Sequence, residues 1–195
     1  MQAIRTLSRL FHHASILHTS RPVPTSNFVG IRVASYPYEL YVHPTLKSAK
    51  GPALSFLNTP VHGRGLNEMA VIGWVLDENH EKLSPSNVEI NPIFEELLHD
   101  VLKDHVHESI AVVYGAAKQV EGYLNVNDSR VFVTYGRVAD PEDLLGVVRL
   151  EGGKPIPNSY ERSPTHRMVS SNGLLQLEED MHAFLLQRLK KVGIS

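Results

Sequence analysis

The apolar positions of this chain change period several times. Residues 28–33 and 39–43 alternate or are rich in β-branched and aromatic types, with Ser35, Tyr36 and Pro37 between them, and predict a first strand pair. Residues 44–68 hold no clear period and carry Gly51, Gly63 and Gly65 with Pro44, Pro52 and Pro60. They predict a long loop with one helical turn near residues 54–57. Residues 69–76 (MAVIGWVL) are a continuous apolar run of strand length, as expected for a strand covered on both faces. Residues 77–87 are polar and predict a turn region.

From Asn91 the period lengthens. Phe94, Leu97, Leu98, Val101, Leu102 and His105 recur at helical spacing, and Pro92 stands where a helix opens. The stripe continues through Val106, Ile110, Val113, Tyr114 and Ala117, giving one long helix or two with a break near residues 107–109; a buried strand over 110–114 is the alternative. Residues 125–130 (NVNDSR) predict a turn, 131–135 (VFVTY) a strand, and 140–143 a cap with a short helical turn. Residues 145–150 predict a strand that turns at Gly152 and Gly153. A further hairpin is expected around Ser171, Asn172 and Gly173, where Asn-Gly supplies positive φ angles. The chain closes with a helix: Met181, Phe184, Leu185, Leu189 and Val192 share a face, with acids in the first turn and Lys190 and Lys191 in the last. Strands and helices are interspersed without a regular βαβ rhythm. The expectation is an α+β fold, a mostly antiparallel sheet covered by two or three helices, in one domain over residues 28–195.

The N-terminus is of another kind. No Asp or Glu occurs before Glu39. Wound as a helix, the first residues place Ile4, Leu7, Phe11 and Ala14 on one face and Arg5, Ser8, Arg9 and His12 on the other. An acid-free, Arg-bearing amphipathic segment is what the mitochondrial import machinery and a membrane potential act on. Residues 1–27 are therefore expected to be a presequence, engaging that machinery through residues 1–21, followed by a Pro22- and Pro24-bearing linker, with cleavage near residues 17 to 25. A secretory signal is disfavoured because Arg5, Arg9, His12 and His13 interrupt every apolar window. The expected localisation is mitochondrial, in the matrix.

Composition then excludes more than it assigns. The chain has 195 residues, 42% hydrophobic and 21% charged, an ordinary globular composition. Its formal net charge is -2; losing residues 1–21 removes Arg5, Arg9 and Arg21 and no acid, which moves it to -5. A mildly acidic domain lacks the basic field that nucleic acid requires. There is no cysteine, hence no disulfide, thiolate metal site or cysteine nucleophile. No apolar run approaches the roughly 18–20 residues of a transmembrane helix.

Three segments offer candidate chemistry. The loop carrying His62, Gly63, Arg64 and Gly65 can approach an anion with its backbone amides, but it matches neither the phosphate loop nor the dinucleotide fingerprint, and a plain turn explains it as well. Residues 155–167 hold three prolines, a stiff frame for Tyr160, His166 and Arg167. Tyr160 or His166 suits a general acid or base, and Arg167 an anion clamp; a surface connection is the bland alternative. The third is His99, His105 and His107 with Asp100 and Asp104. The three histidines fan around a helix axis and cannot meet one ion, whereas Asp100, Asp104 and His107 fall within about 60° of one another. There is no His-Glu-x-x-His pattern, so a solvated face is expected, with no metal site and no cofactor. No Gly-x-Ser-x-Gly elbow occurs. The leading expectation is a soluble matrix protein acting as a binding or accessory factor for a protein partner in a mitochondrial complex. A small metal-independent enzyme using His62, Tyr160, His166 and Arg167 on an anionic substrate is the first alternative, and a peripheral subunit of the mitochondrial ribosome the second.

Overall fold

The computed structural model describes residues 30–48, 50–58, 66–77, 80–134 and 137–192. The expected presequence and linker lie outside these residues, as do His62 and Arg64. Antiparallel sheets and three helices make up the rest, the α+β arrangement expected from the sequence pattern.

The first sheet contains β1 (Ile31–Arg32), β2 (Tyr41–Ser48), β3 (Gly51–Ser55), β4 (Gly73–Val75) and β5 (Val88–Ile90), each paired antiparallel with the next. The β1–β2 pair is the predicted one. β3 corrects the expected loop and helical turn: Leu54 pairs with Val42 on one side and Gly73 on the other, and it is wholly buried. Five residues opening on Gly51-Pro52 show no period of their own. Two neighbouring strands, rather than local propensity, make this segment a strand. The apolar run at 69–76 is shorter as a strand than expected, because Glu68–Ala70 forms a 3-10 turn capped by the Asn67 side chain. It is nonetheless covered on both faces: Trp74 packs with Ala53 and Val71, while Ile72 and Val75 join the main core.

Helix α1 (Pro92–His105) begins where Pro92 predicts. Asn91 caps it, accepting from the Ile93 amide at 3.1 Å, and donates to the Glu68 and Val71 carbonyls, each at 2.8 Å. The helix is thereby locked to the 3-10 turn that leads into β4. Phe94, Leu98 and Leu102 are its fully buried stripe. A 3-10 turn at Val106–Glu108 then breaks the pattern, and α2 (Ile110–Gln119) follows, so of the two expected layouts the broken one is found.

The second sheet contains β6 (Gly122–Asn127), β7 (Leu144–Glu151), β8 (Lys154–Pro155) and β9 (Glu161–Arg162); β7 pairs with each of the other three. The second half of β6, residues 125–127, lies where a turn was expected; the turn itself is at Ser129 and Arg130. The strand expected at 131–135 is absent among its described residues, and Phe132 is 90% exposed. β-branched and aromatic residues favour a strand only where a pleated neighbour receives them, and none pairs here. The turn at Gly152 and Gly153 is as expected, with φ of +57° and +76°. The short hairpin of β10 (Val169–Ser170) and β11 (Gly173–Leu174) is also found, but only Gly173 takes a positive φ; Asn172 does not. Helix α3 (Glu179–Val192) closes the described chain, burying Met181, Leu185 and Leu189. One hydrophobic cluster joins both sheets to all three helices. No described helix is long and apolar enough to cross a membrane.

Candidate functional site

Two predicted site residues, Tyr160 and His166, meet His99 where α1 faces the second sheet. Glu95 and His99 stand one helical turn apart on α1 and so share a face. Opposite them, Tyr160 lies just before β9. Its ring fits because Gly146, paired with Arg162 across β7 and β9, has no side chain: a Cβ there would come within 2.6 Å of the ring and collide with the Glu161 carbonyl. The loop carrying His166 is pinned to the chain at 141–145. Ser163 donates its amide to the Leu145 carbonyl at 3.0 Å, the Thr165 hydroxyl donates to Pro141 at 2.8 Å, and the Arg167 amide donates to Glu142 at 3.0 Å.

The tautomer of His99 follows from proton counting. The Tyr160 hydroxyl gives its one hydrogen to the Leu145 carbonyl at 2.7 Å. At His99 Nδ1, 2.9 Å away, the same oxygen can only accept, so Nδ1 carries the hydrogen. The ring is held neutral: burial first, then the charges of Arg162 and His166, push its pKa down to about 3. Nε2 therefore bears a lone pair, and it is buried with no partner among the described residues. Burial likewise raises the Tyr160 phenol, which keeps its proton. The imidazoles of His99 and His166 meet edge to face at 6.1 Å between ring centres.

Behind His166 lies a buried ion cluster. The Arg130 guanidinium reaches the Asp128 carboxylate at 2.7 Å and Asp143 at 3.1 Å, with all three side chains at most 2% exposed. It also donates to Ser170 Oγ at 3.0 Å and to the Gly173 and Arg167 carbonyls at 2.8 and 2.6 Å. Asp128 accepts from the amides of Arg130 and Gln176, each at 2.9 Å. His166 Nε2 lies between Arg130 Nη2 at 3.4 Å and Asp128 Oδ2 at 3.5 Å, while its Nδ1 is buried without a partner among the described residues. Two carboxylates thus surround one guanidinium, a formal excess of one negative charge.

On the open side, Arg162 pairs with Glu95 at 2.5 Å and Glu96 at 3.2 Å. Glu95, His99 and His166 each offer a donor atom within 4.8 Å of the others. The other predicted residues are apart. The Arg167 side chain is exposed, and only its backbone enters the cluster. His105 stacks on Phe184, and Asp104 pairs with Arg188 on the surface. Sequence reasoning passed over Glu95, Asp128, Arg130 and Asp143; nothing in a turn-like NVNDSR or a cap-like DPED separates buried ions from surface ones. Comparison with protein families, with curated proteins and with solved structures finds no match.

Proposed function

We propose that this protein is imported into the mitochondrial matrix and acts there as an accessory factor that docks a partner protein on the outer face of α2. The observation that carries the docking is that face itself. Ile110, Val113 and Tyr114 stand at helical spacing and are 77%, 46% and 64% exposed. The opposite face, Val112, Gly115 and Ala116, is buried against the second sheet, with Gly115 close to Leu124. Among the described residues no other element covers these three large apolar side chains, and exposed apolar surface of this kind marks a contact face. Lys118 sits over the Tyr114 ring at 4.1 Å and places positive charge at the rim. The partner surface that matches is apolar at its centre. An outer contact in a larger mitochondrial assembly, the ribosome included, fits the same face.

Import rests on the acid-free, Arg-bearing first 38 residues. The metal-independent enzyme has less support, because the Tyr160 hydroxyl is consumed by internal hydrogen bonds and the Arg167 side chain stands away from the cluster.

The two parts are tested separately. A reporter fused to residues 1–38 is expected in the matrix, and R5E with R9E keeps it out; a cytosolic reporter with the unaltered segment rejects import. For docking, a photo-crosslinker replaces Val113 in the full chain in isolated mitochondria. One partner is expected, lost with I110D and Y114D while the circular dichroism spectrum is unchanged, together with loss of complementation in cells lacking the protein. Full complementation by the double variant rejects the docking face.

A further inference from the structure

We propose that Glu95, His99 and His166 form a binding site for a divalent transition-metal ion, with zinc the ion their donor set fits. The site is distinct from the α2 face and does not depend on it.

Four independent features converge on these residues. The first is proximity: one donor atom from each lies within 4.8 Å of the other two. In a tetrahedral site with bonds of about 2.0–2.1 Å the donors stand roughly 3.3 Å apart, so closure needs at most about 1.5 Å. Glu95 has a flexible side chain and is the most exposed of the three, so it can supply that movement and an entry path.

The second is the lone pair on His99 Nε2. Proton counting through Tyr160 and Leu145 fixes it on the inner nitrogen, the form in which an imidazole binds a metal. A buried nitrogen without a partner is costly in a folded protein, and His166 Nδ1 is a second one in the same cluster. Two orphan imidazole nitrogens beside a carboxylate are explained together by one cation.

The third is the outer support. Metal-bound histidines commonly hand their other ring nitrogen to a carboxylate or another acceptor, which sets ring orientation. Here His99 Nδ1 donates to Tyr160, and His166 Nε2 is held at the Arg130–Asp128 pair, 3.4 Å from Nη2 and 3.5 Å from Oδ2. Arg130 holds Asp128 in place. The fourth is charge. Glu95, Asp128 and Asp143 oppose Arg130 and Arg162, leaving a formal negative excess that a cation offsets.

Arg162 occupies Oε1 of Glu95 and leaves Oε2 for the ion. Two imidazoles and one carboxylate, without cysteine, suit zinc and leave a coordination position open, the pattern of sites that bind water or a small anion rather than of closed structural sites. Arg162 at the rim favours a negatively charged occupant of that position.

The full chain, without a histidine tag and stripped with chelator, is titrated with Zn²⁺ by calorimetry and with Co²⁺ by visible absorption. One ion per chain is expected, with a d–d spectrum of nitrogen and oxygen ligands. E95Q, H99Q and H166Q each weaken zinc binding at least about 100-fold, and Y160F weakens it about 10–100-fold through ring orientation. H105Q, on the surface of the same helix, leaves binding unchanged. A parallel anaerobic titration with Fe²⁺ ranks the two ions; tighter Fe²⁺ binding overturns zinc as the preferred ion. Where a variant fails to fold, the unaltered chain decides: Co²⁺ should broaden the ring signals of His99 and His166 first in the proton spectrum. Zinc binding no tighter than millimolar, unchanged affinity in folded H99Q and H166Q, or broadening confined to other histidines overturns the proposal.

Discussion

Arg130 meets Asp128 Oδ2 through both Nη2 at 2.7 Å and Nε at 2.9 Å, with both side chains wholly removed from solvent. The pair fastens the turn after β6 to the hairpin of β10 and β11, because Arg130 also bonds Ser170 and Gly173. Breaking a buried pair leaves an uncompensated charge inside, whereas an exposed pair adds little. R130A is therefore expected to cost about 3–5 kcal/mol of unfolding free energy. R162A, which removes the half-exposed pairs to Glu95 and Glu96, should cost less than about 1 kcal/mol. Equal losses in urea denaturation would show that the Arg130 cluster is hydrated and not a structural clamp.

Gly146 is a second point of rigidity. A methyl group there meets the Tyr160 ring and the Glu161 backbone, neither of which can move without parting β9 from β7. G146A should destabilise by about 1–3 kcal/mol and loosen the Tyr160 ring. Thermal unfolding checks the first effect, and ring-flip broadening of the Tyr160 signals the second. A midpoint unchanged within error contradicts the close fit.

These two sites show how much was legible in the sequence. The helices were, because Phe94, Leu98 and Leu102, and Met181, Leu185 and Leu189, repeat at the helical period and Pro92 marks a start. β7 was legible for its β-branched run and the glycine pair after it. β3 and β6 were not, since Ala53-Leu54 and Leu124-Asn125 become strands only by pairing with distant partners. The site was half legible. Tyr160 and His166 stood out in a proline-stiffened loop, but His99 was weighed only against the histidines and aspartates of its own segment. Its true companions are 61 and 67 residues away, and spacing along one helix carries no information about contacts across the fold.

Acid should weaken the fold through two histidines remote from the candidate metal site. His43 is buried, and that burial lowers its pKa, offset only in part by the Leu57 carbonyl at 2.8 Å. His182, stacked on Tyr38 at 4.3 Å, is lowered by burial as well. A group with a depressed folded pKa takes up its proton more readily when unfolded. Its stability contribution is complete above the unfolded value of 6.5 and is lost as pH falls below it. Each histidine should subtract up to about 1.4 kcal/mol per pH unit in that range. H182F keeps the ring and removes the proton site, so its unfolding free energy should fall less steeply between pH 6.5 and 5. Parallel slopes for the two proteins would rule out His182 as a contributor.

Asn91 joins three carbon-chain segments through one side chain. N91A removes the α1 cap and the donor to the buried Val71 carbonyl, while the Glu68 carbonyl keeps the Val71 amide at 3.1 Å. The expected loss is about 2–4 kcal/mol, combining a lost cap with one unsatisfied buried carbonyl. N91D restores the cap but not the two donated bonds, and should fall between N91A and the unaltered chain. Equal stability of N91A and the unaltered chain in chemical denaturation would contradict this triple role.

The measurement that bears most directly on the buried site is the tautomer of His99, read from long-range nitrogen–proton correlations of the labelled full chain in the metal-free state. Tyr160 donates to Leu145, so the expected spectrum shows His99 protonated at Nδ1 with Nε2 bare, and it stays so down to about pH 5 because burial holds the ring neutral. Added Zn²⁺ should then move the Nε2 resonance while Nδ1 keeps its hydrogen. A hydrogen on Nε2 would contradict the arrangement at its root: the Tyr160 hydroxyl would point at His99, and the inner nitrogen would have no lone pair for a cation.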